Sequence, residues 1–146
     1  MHRLLLAACL LGSLPALAQT SHSSLFGDWR EPGGSVIRIA PCGTAVCATL
    51  VAVSPRASSR FDVHNPNPSL RQHRLCGLVI GHDFHLTNTD HADNGTLYDP
   101  KTGKSYHGAM AASGDQLDLR GYIGLPLFGR SETWTRTHSV PPCSAA

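Results

Sequence analysis

No segment of this chain gives a convincing amphipathic helix, and that constrains its fold more than any single motif. Short runs rich in β-branched residues recur instead, separated by Gly, Pro, Asn and Asp. Ser35 to Ala40 reads SVIRIA, Val46 to Val53 reads VCATLVAV, and Leu75 to Ile80 reads LCGLVI. Gly95 to Tyr98 and Lys104 to Met110 flank DPKTG, whose turn residues stand where a hairpin loop uses them. From Gln116 to Ile123, Leu117, Leu119, Gly121 and Ile123 share one face and Asp118, Arg120 and Tyr122 the other, as in a strand between two environments. Ser131 to Thr137 supplies a last strand, and Ser54 to Arg74 reads as the long irregular connection. Such spacing predicts an all-β sandwich or barrel. An up-and-down antiparallel barrel of about eight strands is favoured, because closure removes the exposed edges of a small sheet.

The amino terminus reads MHRLLLAACLLGSLPALAQT. A basic start, a short apolar run and Ala16-Leu17-Ala18 form a secretory signal, with cleavage expected after Ala18. The run is too short to span a membrane. Leu6-Ala7-Ala8-Cys9 also resembles a lipoprotein signal, but that would leave almost no apolar region before Cys9. Residues 19–146 are then expected to form one exported domain, periplasmic or secreted, and monomeric. Twelve Lys and Arg, one of them Arg3 in the leader, face ten Asp and Glu with no basic or acidic run. Nucleic acid and anionic membrane are therefore not expected as partners.

Four cysteines follow the leader: Cys42, Cys47, Cys76 and Cys143. An even number in an exported chain reads as disulfides. Three pairings are open, of which Cys42 with Cys47 and Cys76 with Cys143 are favoured. The first pair flanks Gly43-Thr44-Ala45-Val46, a plausible turn between two strands. The second would tie the tail to the body. No C-x-x-C pair supports zinc.

Catalytic chemistry finds little support. There is no G-x-S-x-G, and each cysteine after the leader is better used in a bridge. Asp62 and Asp99 sit beside Asn or Pro, where turn duty is the commoner role. No enzyme activity, cofactor or metal is expected. His82, His85 and His91 stand with Asp83, Asp90 and Asp93 in a polar segment read as a solvated hairpin, since strand residues three apart face opposite ways. Tyr98, Tyr106, Arg120, Tyr122 and Arg130 could reach a barrel interior and are the candidate ligand-binding residues. The segment RGYIGLPLFGR, residues 120 to 130, is too rich in Gly and Pro for a regular helix. Its leading reading is a corner packed for closure; the second is a ligand rim.

Gly27-Asp28-Trp29 on the first strand, with Arg136 on the last, is similar to the lipocalin signature. That resemblance implies that Trp29 closes one barrel end beneath Arg136, although Trp134 could be the covered ring instead. Further motifs follow in order: Cys42 and Cys47, Asp62 through Asn65-Pro66-Asn67-Pro68, Gly77 to Ile80, Gly95 to Pro100, Gly103 to Tyr106, Leu119 to Gly124, and Phe128-Gly129-Arg130 into Trp134-Thr135-Arg136. With these the chain resembles the bacterial domain-of-unknown-function 2147 family, exported proteins with a lipocalin-like barrel. It departs from that pattern before Gly95, where relatives carry a Trp and this chain reads TDHADN. The resemblance also favours the Cys42–Cys47 bridge. The function expected is to carry or sequester a small apolar or amphipathic ligand; the alternative is an envelope interaction protein with a side-chain-filled barrel.

Overall fold

Each antiparallel strand hydrogen-bonds to the next in sequence, and the last returns to the first, so the sheet closes as a barrel. The computed structural model describes residues 23–141 and residue 143; the expected leader, with its Cys9 and cleavage point, lies outside them. The strands are β1 (Gly27–Arg30), β2 (Val36–Cys42), β3 (Ala45–Ala52), β4 (Val79–Leu86), β5 (His91–Asp99), β6 (Lys104–Ser113), β7 (Gln116–Tyr122) and β8 (Arg130–Arg136). Closure is made where Trp29 and Arg30 pair with Arg136 and Thr135.

Period-two alternation explains the core. Along β3, Val46, Ala48, Leu50 and Ala52 are buried while their neighbours are half-exposed. Ile37 and Ile39 of β2, Met110 and Ala112 of β6, and Leu117 and Leu119 of β7 point the same way. Each large aliphatic side chain so buried contributes about 1.5–3 kcal/mol.

Three boundaries differ from the sequence expectation. The LCGLVI run is a strand only from Val79 onward. Its earlier half is irregular but still exchanges backbone bonds with Leu50, donated by Gly77 N and accepted by Leu78 O. Beyond Gly81, β4 continues through His82 to Leu86, and β5 begins at His91, so the polar segment is mostly strand. Asp83, at φ 61°, interrupts the alternation so that His82 and His85 both face solvent while Phe84 between them is fully buried.

The up-and-down order puts alternate connections at opposite ends. One end holds the β2–β3, β4–β5 and β6–β7 turns and is plugged by residues 23–26. Leu25 is fully buried there, and Ser24 N donates to Thr89 O at 2.8 Å. Trp29 Nε1 donates to Leu25 O at 2.8 Å. The Arg136 guanidinium lies 4.0 Å from the Trp29 ring centroid and donates to Phe26 O and Ser24 O. The covered ring is thus Trp29, not Trp134.

Both favoured disulfides are present. Cys42–Cys47 crosses the β2–β3 hairpin with Cα atoms 5.8 Å apart, around a turn in which Gly43 takes φ 65°. Cys76–Cys143 joins the tail to the long β3–β4 connection, with Cα atoms 5.9 Å apart. The tail is held on its way there, since Thr137 N donates to Asp28 O and Arg30 donates to Ser139 O.

Candidate ligand cavity

At the opposite end the β1–β2, β3–β4, β5–β6 and β7–β8 connections stand around an opening into a cavity of about 1100 Å³. The inner wall is apolar, with Ile37, Leu50, Ile80, Leu97, Leu119 and Trp134 among the lining side chains. Trp134 is nearly fully buried, and its Nε1 is the buried side-chain polar atom without a hydrogen-bond partner among the described residues.

Glycines shape the wall beside this space. A Cβ on Gly95 would overlap the Phe84 ring, and one on Gly108 would lie 2.8 Å from Phe84 Cζ and 2.7 Å from Leu97 Cγ. On Gly81 it would lie 2.9 Å from the Ala48 Cβ. Bare backbone on β4, β5 and β6 thus makes room for one large ring within a small barrel.

The long connection folds as its own hairpin over one side of the opening. Phe61 bridges to Arg74, Asp62 N donates to His73 O, and Leu75 N donates to Arg60 O. Asp62 anchors this hairpin to the barrel and is 1% exposed. Its carboxylate accepts from Tyr98 Oη at 2.6 Å and from Asn65 Nδ2 at 2.7 Å. Burial, then the bond to Asp62, pushes the Tyr98 phenol well above its ordinary pKa. Close backbone approach does the rest, because a Cβ on Gly103 would overlap His64 O.

The rim is polar. Glu31 accepts from Gly33 N at 2.6 Å, Ser35 N at 2.9 Å and Lys101 Nζ at 3.3 Å. Burial pushes this carboxyl up, but the Ser35 and Gly33 amides and Lys101 outweigh it, and its pKa is held below the usual value. Asp99 accepts from Lys101 N and Thr102 Oγ1, as expected of a turn residue.

Of the candidate ligand-binding residues, Tyr98, Tyr106, Tyr122 and Arg130 line the cavity. Arg120 is not among the lining residues. Its guanidinium donates to Pro126 O at 2.6 and 2.9 Å and to Ser131 Oγ at 3.0 Å, bracing the β7–β8 connection. That connection is not a packed corner. Ile123, Leu125, Leu127 and Phe128 are 64–80% exposed, and Ile123 and Phe128 line the opening. The connection forms part of the rim of the opening. Sequence reasoning missed Glu31, Arg56 and Lys101 at the rim, because charged loop residues carry no spacing signal.

The polar segment gathers no ligand set. His82 Nδ1 lies 2.7 Å from Asp83 Oδ2, and His91 Nδ1 lies 2.7 Å from Asp90 Oδ1, each on the outer surface. Among the described residues no group of three His, Cys, Asp or Glu side chains is placed to hold a metal ion.

A family model described as an uncharacterized protein conserved in bacteria, DUF2147, matches residues 27–136, from the start of β1 to the end of β8. The chain belongs to the DUF2147 family. Its fold is shared with a solved structure described as protein HP1028 from the human pathogen Helicobacter pylori, which belongs to the lipocalin family. The two are 21% identical with a TM-score of 0.71, over 79% of this chain and 84% of that one. No curated protein matches the chain. This DUF2147 protein is therefore an all-antiparallel barrel of the lipocalin kind, and in it the space over Gly95 is taken by Phe84. Among the described residues no helix is long and apolar enough to cross a membrane.

Proposed function

We propose that this DUF2147 protein is an exported, monomeric binding protein that carries or sequesters one small apolar or amphipathic molecule in its barrel. The cavity of about 1100 Å³ carries the reading. It exceeds the roughly 300 Å³ at which ligand pockets begin, and it lies above a lower barrel that Trp29, Phe84, Met110 and Leu117 fill. An apolar inner wall beneath a polar rim suits a ligand with an apolar body and a polar outer end. Two disulfides support a periplasmic or extracellular site of action, and a leader cleaved after Ala18 would deliver the chain there. A role without catalysis fits the acidic groups near the opening. Glu31, Asp62 and Asp99 are each engaged in holding loops.

The test is a titration with N-phenyl-1-naphthylamine, a neutral apolar fluorophore. Saturable binding of one molecule per chain is expected. Leu119→Trp, which fills the inner cavity, should abolish it while the far-ultraviolet spectrum stays that of a β-barrel. Absence of saturable binding, or binding unchanged in the folded Leu119→Trp variant, would refute the reading.

A further inference from the structure

The two ends of the barrel differ in charge as sharply as they differ in openness. Toward the closed end lie Asp83, Asp90, Asp93, Asp115 and Asp118, with Arg136 as their cation. Asp28 and Arg38 neutralise each other on the wall at 2.7 Å. Every other Lys and Arg of the described residues lies on the half that carries the opening, where the acidic residues are Glu31, Asp62, Asp99 and Glu132. Several of these cations spend their hydrogen bonds on neutral carbonyls. Arg56 donates to Gly33 O, Arg60 to Val53 O and Ser54 O, and Arg71 to Asn65 O. Such bonds fix the guanidinium without cancelling its charge, so the opening carries a positive field.

The exposed apolar surface is polarised in the same direction. Of the exposed large apolar side chains among the described residues, Leu86 alone belongs to the closed end. Leu127 and Phe128, 80% and 75% exposed, sit on a short 3-10 turn (Pro126–Phe128) that Arg120 braces through Pro126 O. Across the opening Phe61 and Val63 of the long connection are 40% and 43% exposed. On the β7–β8 lip, Ile123, Leu125, Leu127 and Phe128 expose four large apolar side chains within six residues, the kind of surface that marks an interaction site.

From this coincidence we propose that the open end docks on an anionic lipid surface. The β7–β8 lip would insert between headgroups while the ring of Lys and Arg meets their phosphates. Apolar side chains within a basic surround are what interfacial binding requires. The acidic closed end would be held away from the same surface, which orients the opening toward the bilayer. A protein surface could cover the lip, but the excess of Lys and Arg at this end selects an acidic partner, and a bilayer meets the whole opening at once. The proposal does not depend on the cavity being filled.

The experiment is sedimentation of the purified protein with phosphatidylethanolamine vesicles containing phosphatidylglycerol, against phosphatidylcholine vesicles. Binding to the anionic vesicles is expected, falling at least about tenfold as salt rises from about 0.02 to about 0.5 M. Leu125→Ser with Leu127→Ser should lower it by about tenfold or more. Neither residue lines the cavity, so fluorophore uptake should be unchanged in that variant. Leu86→Ser at the closed end should bind vesicles like the parent. The proposal is overturned by absence of vesicle binding at low salt, by equal binding to phosphatidylcholine, or by equal loss in the Leu86→Ser variant. A dimer that the lip variant dissolves, without vesicle binding, would instead make the lip a self-interface and overturn it too. Loss of fluorophore binding alone would count against the carrier reading and leave lipid docking standing.

Discussion

The Arg136 guanidinium stacks on Trp29 at 4.0 Å and ties the end of β8 to the residues that precede β1. One side chain thus joins the two ends of the sheet at its shortest seam, where β1 and β8 share only two paired positions. Arg136→Ala is expected to cost about 3 kcal/mol, from the lost stacking and two charge-assisted hydrogen bonds. Arg136→Lys should recover only part, since an ammonium cannot present the planar fork. Equilibrium urea unfolding measures both.

Phe84 and Gly95 are matched in the same way. Gly95→Ala drives a methyl into the ring and should destabilise by about 3 kcal/mol. Combining it with Phe84→Leu should cost less than the sum of the single changes, because the smaller side chain relieves the overlap. A thermal-unfolding double-mutant cycle measures the coupling.

The Tyr98–Asp62 bond gives an alkaline signature. The folded pKa of Tyr98 is raised, so its contribution is complete below the unfolded tyrosine value of about 10 and declines as pH rises above it. Tyr98 should therefore resist ionisation while the barrel stays folded. Absorbance at the phenolate band, followed against pH together with circular dichroism, reads this directly. Tyr98→Phe should remove that phase and cost about 1–3 kcal/mol at neutral pH, because Asp62 loses a partner while buried.

The two disulfides should differ in weight. Chain entropy assigns about 2 kcal/mol to Cys42–Cys47, which are 5 residues apart, and about 4 kcal/mol to Cys76–Cys143, which are 67 apart. Paired Cys→Ala variants compared by denaturant titration should rank in that order.

Most of the barrel was legible because strands announce themselves through alternation, as β3 does along its whole length. β4 was misplaced for a physical reason. Asp83 at positive φ breaks the period, and two exposed histidines surround its one buried ring. Trp29 and Arg136 were legible through the resemblance to lipocalins, whereas Asp62 was read as a turn residue because its partner Tyr98 is distant in sequence. Arg120 was counted among the residues that could reach the interior, but the carbonyls of the β7–β8 turn take its donors. The lip itself was composed as a corner would be, and only its exposure separates the two. The charge asymmetry left no run in the sequence, because alternate turns supply each end.

The central claim is that the cavity holds a small molecule, and native mass spectrometry of the protein taken from its own cell envelope tests it most directly. The expected result is a folded species heavier than the disulfide-bonded chain by one small ligand, which denaturation releases. That extra mass should be absent from the Leu119→Trp variant prepared in the same way. A single species at the mass of the bare chain, in the parent and the variant alike, would contradict the account.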